Sequence, residues 1–286
     1  MQLVTEDNIT DLAAARWATA HDPRTGELMS ALVRHLHAFA REVQLTEAEW
    51  MAAIQWLTRT GQISNDKREE FILTSDVLGL SMLVVQMNQR LDPRATPATV
   101  LGPFHIDGSP VREYAEDMSE GVRGTPLLLH GTVRDLDGAA IGGAVLDVWQ
   151  ADDDGLYESQ HAEVDEARLR AKYTAREDGS FAIRTVAPLG YTIPMDGPVG
   201  ELISRTDISE FRPAHFHVLL NVPGYRPLIT HLFQEGADYL DSDVVFGVKE
   251  QLVVRYEPRE GGTMPDGTPV EGPWFEATYD FVLQPA

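Results

Sequence analysis

Residues 126–157 read PLLLHGTVRDLDGAAIGGAVLDVWQADDDGLY, and this stretch decides the fold class. Two short apolar runs flank an Asp-Gly pair, and a second turn sequence, Asp-Asp-Asp-Gly, follows at residues 152–155. The pattern predicts a strand, a tight turn and a second strand. We interpret residues 173–186 as a hairpin with another Asp-Gly turn, and residues 214–233 as a strand pair joined by Pro-Gly. Short strands with regular turn signals favour a β-sandwich.

The chain before this stretch has a helical period. Leu28, Leu32, Leu36 and Phe39 are spaced so that they share one face of a helix. The many Met, Trp and Leu residues of this region suit packing on a second domain or on another subunit.

Two further helices are predicted before residue 100. One, in residues 45–57, opens with the capping-box spacing of Thr46 and Glu49. The other, in residues 66–91, ends before Pro93. We therefore predict an α+β chain, in which an all-helical region precedes a β-sandwich.

Composition narrows the function classes. The chain has 286 residues, a formal net charge of −22 and no cysteine. Such acidity disfavours binding to nucleic acid or an anionic membrane, and the missing cysteines exclude disulfides and thiolate metal sites. An N-terminus that carries early acidic residues predicts no signal peptide, and no apolar run approaches about 20 residues. We expect a cytoplasmic protein.

The stretch RPAHFH, residues 212–217, carries the first hint of chemistry. His215 and His217 are two residues apart, so on a strand both imidazoles face one side, with Cα atoms roughly 7 Å apart. The pair is either a metal site or two ordinary, partly buried histidines. Without cysteine, further ligands must be carboxylates or tyrosines. Tyr157 and Tyr191 lie in Gly-containing turn sequences, but their spacing alone does not select them.

Three segments taken together carry a family resemblance. DVWQADDDGLY (147–157), PLGYTIP (188–194) and RPAHFH resemble, in this order, the intradiol ring-cleaving dioxygenases, which include catechol, chlorocatechol and hydroxyquinol 1,2-dioxygenases. The resemblance covers nearly the whole chain. It implies a helical region at residues 1–98 that forms a homodimer, and a catalytic β-sandwich of prealbumin-like fold at residues 99–286. In several members the dimer interface also encloses a phospholipid.

The resemblance also implies one non-haem Fe(III) per subunit, bound by Tyr157, Tyr191, His215 and His217. Ferric iron favours phenolate oxygen, and two phenolates with one hydroxide cancel its charge, so that the site tolerates burial. When a diol binds as a dianion, hydroxide and one tyrosinate leave; by resemblance this is axial Tyr191, opposite His217, while Tyr157 and His215 remain equatorial. Both atoms of O2 are then inserted between the hydroxylated carbons, and Arg212 stabilises the electron-rich ring.

Further segments resemble the hydroxyquinol branch, and they imply a set of pocket residues: Leu73, Asp76, Val77, Val100, Leu101, Gly102, Pro103, Phe104, Ile193, Pro194 and Val245. A helix-borne Asp76 is the polar exception, and we hypothesise that it accepts a hydrogen bond from a third ring hydroxyl; otherwise it is a surface acid. His231 stands where the catechol enzymes carry glutamine. It either hydrogen-bonds the reacting ring or packs in the core, and it leaves plain catechol in doubt as the best substrate.

The expected reaction is cleavage of hydroxyquinol (1,2,4-trihydroxybenzene) to 3-hydroxy-cis,cis-muconate, or its tautomer maleylacetate, in aromatic hydrocarbon catabolism. Catechol and chlorocatechol are the alternative substrates. Two other classes stay open. One is an inert small-ligand-binding sandwich, which has no reason to keep two tyrosines and two histidines. The other is a ferrous oxygenase with two histidines and one carboxylate, which would be pale rather than red-brown.

Overall fold

The computed structural model describes residues 3–65, 68–119, 121–161 and 167–286, with the backbone alone for Ser159. The chain divides into two compact units, residues 1–59 and 60–286. The division at residue 98 that the sequence suggests stays a prediction.

The first unit consists of helices. They are α1 (Ile9–Trp17), α2 (Pro23–Glu42) and α3 (Glu47–Ile63), the last of which continues into the second unit. Helix α2 starts at Pro23 because the Asp22 carboxylate accepts hydrogen bonds from the backbone N–H groups of Arg24 and Thr25. The predicted capping box of α3 is confirmed: the Thr46 backbone N–H donates to Glu49 Oε2 at 2.9 Å, and the Glu49 N–H donates to Thr46 Oγ1.

The single long helix expected over residues 66–91 is wrong. Residues 66 and 67 lie outside the described residues, and the remainder forms α4 (Glu70–Val77) and α5 (Leu80–Asn88), which meet at an angle of 77°. Gly79 breaks the helix, because its φ of +70° is the left-handed conformation that glycine adopts readily. Among the described residues, no single helix is long and apolar enough to cross a membrane; only this bent pair is, when its helices are counted together.

The second unit is built on two sheets. The strands are β1 (Val111–Arg112), β2 (Pro126–Asp135), β3 (Val145–Gln150), β4 (Arg170–Thr174), β5 (Ser180–Val186), β6 (Tyr191–Thr192), β7 (Phe211–Arg212), β8 (His215–Leu220), β9 (Leu228–Gln234), β10 (Val253–Val254), β11 (Tyr256–Thr263), β12 (Pro269–Thr278) and β13 (Phe281–Leu283). One sheet has the order β1-β4-β3-β8-β9-β10. The other has the order β11-β12-β2-β13, with β5 also paired to β2, while β6 and β7 form a separate pair.

The core contains fully buried side chains from both sheets, for example Leu146 and Phe216 from the first and Leu129, Phe181 and Phe281 from the second. Helix α6 (Pro198–Ile203) follows β6. The predicted α+β architecture, with helices followed by a β-sandwich, is confirmed.

The hairpin predicted at residues 173–186 is wrong. The turn forms, since the Gly179 N–H donates to the Arg176 carbonyl. However, β4 pairs with β3 in one sheet and β5 pairs with β2 in the other. The Asp-Gly turn reverses the chain direction locally, but it does not determine which strand pairs with β5. Strand β5 pairs with β2 over seven residues and so joins the other sheet. The β8–β9 pair is confirmed as an antiparallel hairpin, and it carries the histidines.

Candidate metal centre and substrate pocket

The two histidines of RPAHFH lie in the middle of the six-stranded sheet, on β8. His215 and His217 point to the same face, and their Nε2 atoms are 3.2 Å apart. Phe216, between them, is fully buried in the core on the opposite face, as the strand period predicts. Both histidines are buried, so their ring nitrogens depend on partners within the protein.

Tyr157 is delivered by the loop after β3. The buried Asp152 carboxylate organises this loop, because its Oδ1 accepts backbone hydrogen bonds from Asp154 and Leu156 while its Oδ2 contacts His161 Nε2 at 2.7 Å. The Tyr157 Oη atom then lies 3.0 Å from His217 Nε2. Asp152 thus fixes the loop that presents the tyrosine.

Tyr191 reaches the same point from β6. Strand β6 pairs with β7 so that Tyr191 is directly opposite Arg212. The Tyr191 Oη atom lies 3.2 Å from Tyr157 Oη. The approach requires Gly155, because a Cβ there would stand 2.9 Å from the Tyr191 Cβ.

The four predicted ligand atoms therefore converge. The separations are 3.0 Å for Tyr157 Oη to His217 Nε2, 3.2 Å between the two phenol oxygens and 3.2 Å between the two imidazole Nε2 atoms. Atoms that share one cation with bonds of about 2.0–2.2 Å stand about 3 Å apart when they lie at right angles. A mixed set of two oxygens and two nitrogens also suits a hard, highly charged transition metal. The residues fit a bound metal ion.

The hydrogen bonds prepare His215 for such a role. Its Nδ1 lies 2.6 Å from the Pro213 carbonyl, which can only accept, so Nδ1 carries the proton and Nε2 keeps its lone pair. Burial, and then the nearby Arg212 charge, lowers the pKa of His215 to about 3. The imidazole is thus neutral at physiological pH, the form that binds metals.

The other candidate ligands are also neutral without a cation. Burial lowers the pKa of His217 well below its ordinary value and raises the pKa of both Tyr157 and Tyr191. A phenolate in this buried place therefore needs a positive partner, and a metal ion supplies one.

Trp149 and His231 flank His217. Trp149 is its neighbour on β3, and the indole stacks on the imidazole with centroids 4.7 Å apart. His231 is its neighbour on β9, with Nε2 2.9 Å from His217 Nδ1. His231 Nε2 therefore faces the imidazole of a predicted ligand.

His215, His217 and His231 form one of two groups, among the described residues, of three metal-capable side chains with ligand atoms within 4.8 Å. The other is Asp152 to Asp154, in which the Asp152 carboxylate already accepts backbone hydrogen bonds. The histidine group coincides with the convergence of the tyrosines, and the aspartate group supports the Tyr157 loop.

Arg212 lies at the edge of the cluster. Its Nη1 is 3.0 Å from His215 Nε2 and 3.4 Å from Tyr191 Oη. Burial opposes its charge, but the Asp243 carboxylate together with Tyr191 and Tyr157 raises the guanidinium pKa above its ordinary value. Arg212 therefore remains charged beside the predicted ligands.

Two cavities adjoin the cluster. The first, of about 430 Å³, is lined by Leu73, Pro103, Phe104 and Pro194 among the predicted pocket residues. The second, of about 380 Å³, is lined by Asp76, Val100, Leu101, Gly102 and Pro103. The structure thus places eight of the predicted pocket residues on cavity walls, whereas Val77, Ile193 and Val245 line neither of these two cavities.

Phe104 lines the first cavity and also contacts a predicted metal ligand, Tyr157. Its ring stacks on Tyr157 with centroids 4.4 Å apart. A flat apolar wall against a predicted ligand tyrosine suits a planar aromatic guest.

Asp76 is the exceptional group of the second cavity. It lies in the last turn of α4 and is 2% exposed, so it is not a surface acid. Its Oδ1 is buried without a hydrogen-bond partner among the described residues. Burial raises its pKa to about 6, although a Ser81 hydrogen bond and the Arg212 charge act in the other direction. A buried acceptor beside a cavity is available to a ligand hydroxyl.

Sequence reasoning missed Trp149, Asp152 and Asp243. The register that places Trp149 beside His217 is set by pairing between distant strands, which a single sequence does not reveal. Asp152 and Asp243 lie in acid-rich turns, where a solvated carboxylate is the ordinary reading.

Comparison with known proteins bears on the same regions. Residues 22–96 match the family model described as catechol dioxygenase N terminus, and residues 100–285 match the model described as dioxygenase. The 6-chlorohydroxyquinol 1,2-dioxygenase of Cupriavidus pinatubonensis is 46% identical over 100% of this chain and 99% of its own. The hydroxyquinol 1,2-dioxygenase of Nocardioides simplex is 44% identical over 100% of this chain and 97% of its own.

A solved structure agrees with these relatives. The hydroxyquinol 1,2-dioxygenase of Pseudomonas putida is 46% identical, superposes with a TM-score of 0.89, and is aligned over 98% of this chain and 99% of its own. Two family models together match most of the chain, and near-complete relatives exceed 40% identity. The chain belongs to the intradiol ring-cleavage dioxygenases, a family of enzymes that use non-haem iron.

Proposed function

We propose that this enzyme cleaves hydroxyquinol between its vicinal hydroxyl groups, with O2, to 3-hydroxy-cis,cis-muconate, which tautomerises to maleylacetate. Both oxygen atoms enter the product. The observation that carries the choice of substrate is Asp76, a buried carboxylate on the wall of a cavity, one oxygen of which has no hydrogen-bond partner in the described part of the chain. The names of the relatives support the same choice.

Tyr157, Tyr191, His215 and His217 would hold one Fe(III) per subunit. Their convergence, with neighbouring ligand atoms 3.0 to 3.2 Å apart, supports this assignment. Ferric iron, when bound, supplies the Lewis acidity that activates the chelated diol toward O2.

Side chains of the protein would fill the remaining roles in the reaction. Tyr191 is the group that accepts a proton from a substrate hydroxyl, because its Oη faces Arg212 Nη1 at 3.4 Å and its phenolate is stabilised there. Arg212 stabilises negative charge that develops on the ring, a role suited to a buried, permanently charged guanidinium. Phe104 and Pro103 would confine the ring between apolar side chains.

Asp76 would select the third hydroxyl. A buried carboxylate that accepts a hydrogen bond from hydroxyquinol loses that partner when catechol binds, and the difference appears in kcat/KM. His231 would act through His217, because its Nε2 contacts the His217 imidazole, and we propose that it orients that ring.

The test is oxygen uptake with hydroxyquinol, catechol and 4-chlorocatechol side by side, with identification of the products. We expect the highest kcat/KM for hydroxyquinol. Asp76→Ala should change the hydroxyquinol-to-catechol ratio of kcat/KM by about tenfold or more, whereas a change below about threefold contradicts the role of Asp76. Asp266→Ala is the matched control, because Asp266 is also a buried aspartate with an arginine nearby, 3.9 Å from Arg184 Nη1.

The inert sandwich and the ferrous oxygenase are separated from this proposal by colour. Tyrosinate bound to Fe(III) makes the purified protein red-brown, and Tyr157→Phe should bleach it. A colourless protein without iron by elemental analysis contradicts the proposal outright.

We also propose a homodimer formed through the first helices, with a phospholipid at the interface. On α2, Leu28, Leu32, Leu36 and Phe39 are each about half exposed on one face, which a second copy would cover. Sedimentation velocity tests the dimer, and native mass spectrometry tests the lipid.

A further inference from the structure

Asp243 is the hydrogen-bonded ion-pair partner of Arg212. The Arg212 Nε donates to Asp243 Oδ1 at 3.0 Å, and Nη2 donates to Oδ2 at 3.4 Å. Both side chains are almost fully buried, with 3% and 2% exposure. Water therefore does not compete for either partner, and the pair is held by its own geometry.

The two edges of the guanidinium have different neighbours. Its Nε and Nη2 face Asp243, whereas Nη1 faces Tyr191 Oη at 3.4 Å and His215 Nε2 at 3.0 Å. Because the guanidinium is planar and rigid, fixing one edge fixes the direction of the other. The carboxylate thus determines where the Nη1 donor points.

Asp243 is itself held by the turn that follows it. The Gly247 N–H donates to its Oδ2 at 2.9 Å, the Val245 N–H approaches its Oδ1 at 3.4 Å, and the Phe246 N–H donates to its backbone carbonyl at 3.0 Å. A carboxylate with several backbone donors has little freedom to rotate. It provides a fixed reference for Arg212.

There is little free space around Gly247, in the turn after Asp243. A Cβ there would stand 2.9 Å from Asp243 Oδ2, 3.1 Å from Arg212 Nη2 and 3.3 Å from His231 Nδ1. These three neighbours belong to three side chains that flank the predicted centre. A methyl group at this position would displace the pair without changing any charge.

We propose that Asp243 is a positioning residue for ring cleavage: it orients Arg212 so that the Nη1 edge faces the substrate ring and Tyr191, and it balances the buried guanidinium charge. The inference rests on the proposed function, in which Arg212 stabilises the ring. It assigns to Asp243 no contact with substrate.

Two variants separate orientation from charge. Asp243→Asn keeps the size and removes the charge, whereas Gly247→Ala keeps the charge and displaces the pair. Asp266→Asn is the matched control, since Asp266 is a buried carboxylate that accepts hydrogen bonds from Thr268. For each as-purified protein we would measure iron content, the visible tyrosinate band, kcat and KM separately, and the crystal structure around residue 212.

We expect Asp243→Asn and Gly247→Ala each to lower kcat about 10- to 100-fold, with a smaller change in KM. Iron content and the visible band should persist, because neither residue is a predicted ligand. The distance from Arg212 Nη1 to Tyr191 Oη should change by about 1 Å. Asp266→Asn should keep the kcat and KM of the wild type.

The inference is overturned if both variants keep wild-type kcat, if Arg212 does not move in either crystal structure, or if Asp266→Asn loses as much activity. If Asp243→Asn does not fold, Gly247→Ala carries the same expectation alone. A wild-type protein with no dioxygenase activity contradicts the proposed function instead, and the crystal structures still report whether Asp243 holds Arg212.

Discussion

Two regions of this molecule depart from the usual pattern of burial in opposite ways. The face of β8 and β9 that carries His215, His217 and His231 is polar yet fully buried, whereas one face of α2, with Leu28 and Phe39, is apolar yet half exposed. The buried imidazoles contact one another, the Pro213 carbonyl and the side chains of Tyr157 and Arg212. The exposed apolar groups remain about half open to solvent among the described residues. The proposed Fe(III) would complete the first region, and the proposed second copy of the chain would cover the second.

The largest effect is expected from a substitution in the buried polar region. His215→Ala removes a predicted ligand, so we expect loss of the visible band, loss of most of the bound iron and a fall in kcat/KM of more than about 100-fold. Iron analysis and oxygen uptake measure the change. His130→Ala is the control, because His130 lies on β2 and contacts Glu276 rather than the cluster. Retention of full iron in His215→Ala would contradict the ligand assignment.

The second prediction concerns the exposed apolar face of α2. Leu32→Glu combined with Leu36→Glu places two charges on the exposed face of α2, and each buried leucine that is lost weakens an interface by roughly 1.5–3 kcal/mol. We expect the dimer to dissociate at micromolar concentration in sedimentation velocity, with the visible band retained. Val111→Glu is the control, since Val111 is more exposed and lies on β1. A wild-type protein that sediments as a monomer contradicts the interface.

The third prediction concerns Asp76, a buried acid on the wall of the second cavity. Burial raises its pKa in the folded protein from 3.8 to about 6, so folding binds a proton between these values. The associated stability is fully present below about pH 4 and is lost as the pH rises through 6, with a total of about 3 kcal/mol. Urea unfolding of wild type and Asp76→Asn from pH 4 to 7 measures it.

Because both proteins share all other titrating groups, the difference between their unfolding free energies isolates Asp76. Asp76→Asn should gain on the wild type as the pH rises from 4 to 6, and the gain should be constant above that range. A difference that does not vary with pH contradicts the raised pKa.

The same comparison shows what the sequence could predict. The α2 stripe and the α3 cap are local patterns, so Leu28, Leu32, Thr46 and Glu49 were enough to predict them. The hairpin at 173–186 failed because pairing between strands far apart in sequence overrode a local turn signal. The single helix at 66–91 failed because the spacing of apolar residues hid the effect of one left-handed glycine.

The residues of the predicted metal centre show the same limit. His215 and His217 share a face by strand period alone. Tyr157 comes from a loop and Tyr191 from the two-residue strand β6, and their meeting point depends on the whole sandwich, so only the family resemblance selected them. Asp243 escaped notice because its partner, Arg212, is 31 residues away. Contacts of this kind are set by tertiary packing, and neither the spacing of apolar residues nor a sequence motif predicts them.

The smallest expected effect lies in the first unit, at the capping box of α3. Thr46→Ala removes the acceptor for the Glu49 N–H and the Oγ1 donor to Glu49 Oε2, and should lower the free energy of unfolding by about 1 kcal/mol. Thr58→Ala in the same helix is the control: its hydroxyl only donates to the Ile54 carbonyl, and alanine is the better helix former there. Urea unfolding separates the two variants. Neither should change kcat or KM, because none of the predicted ligands belongs to α3; a loss of activity in Thr46→Ala alone would show that the order of this helix reaches the catalytic centre.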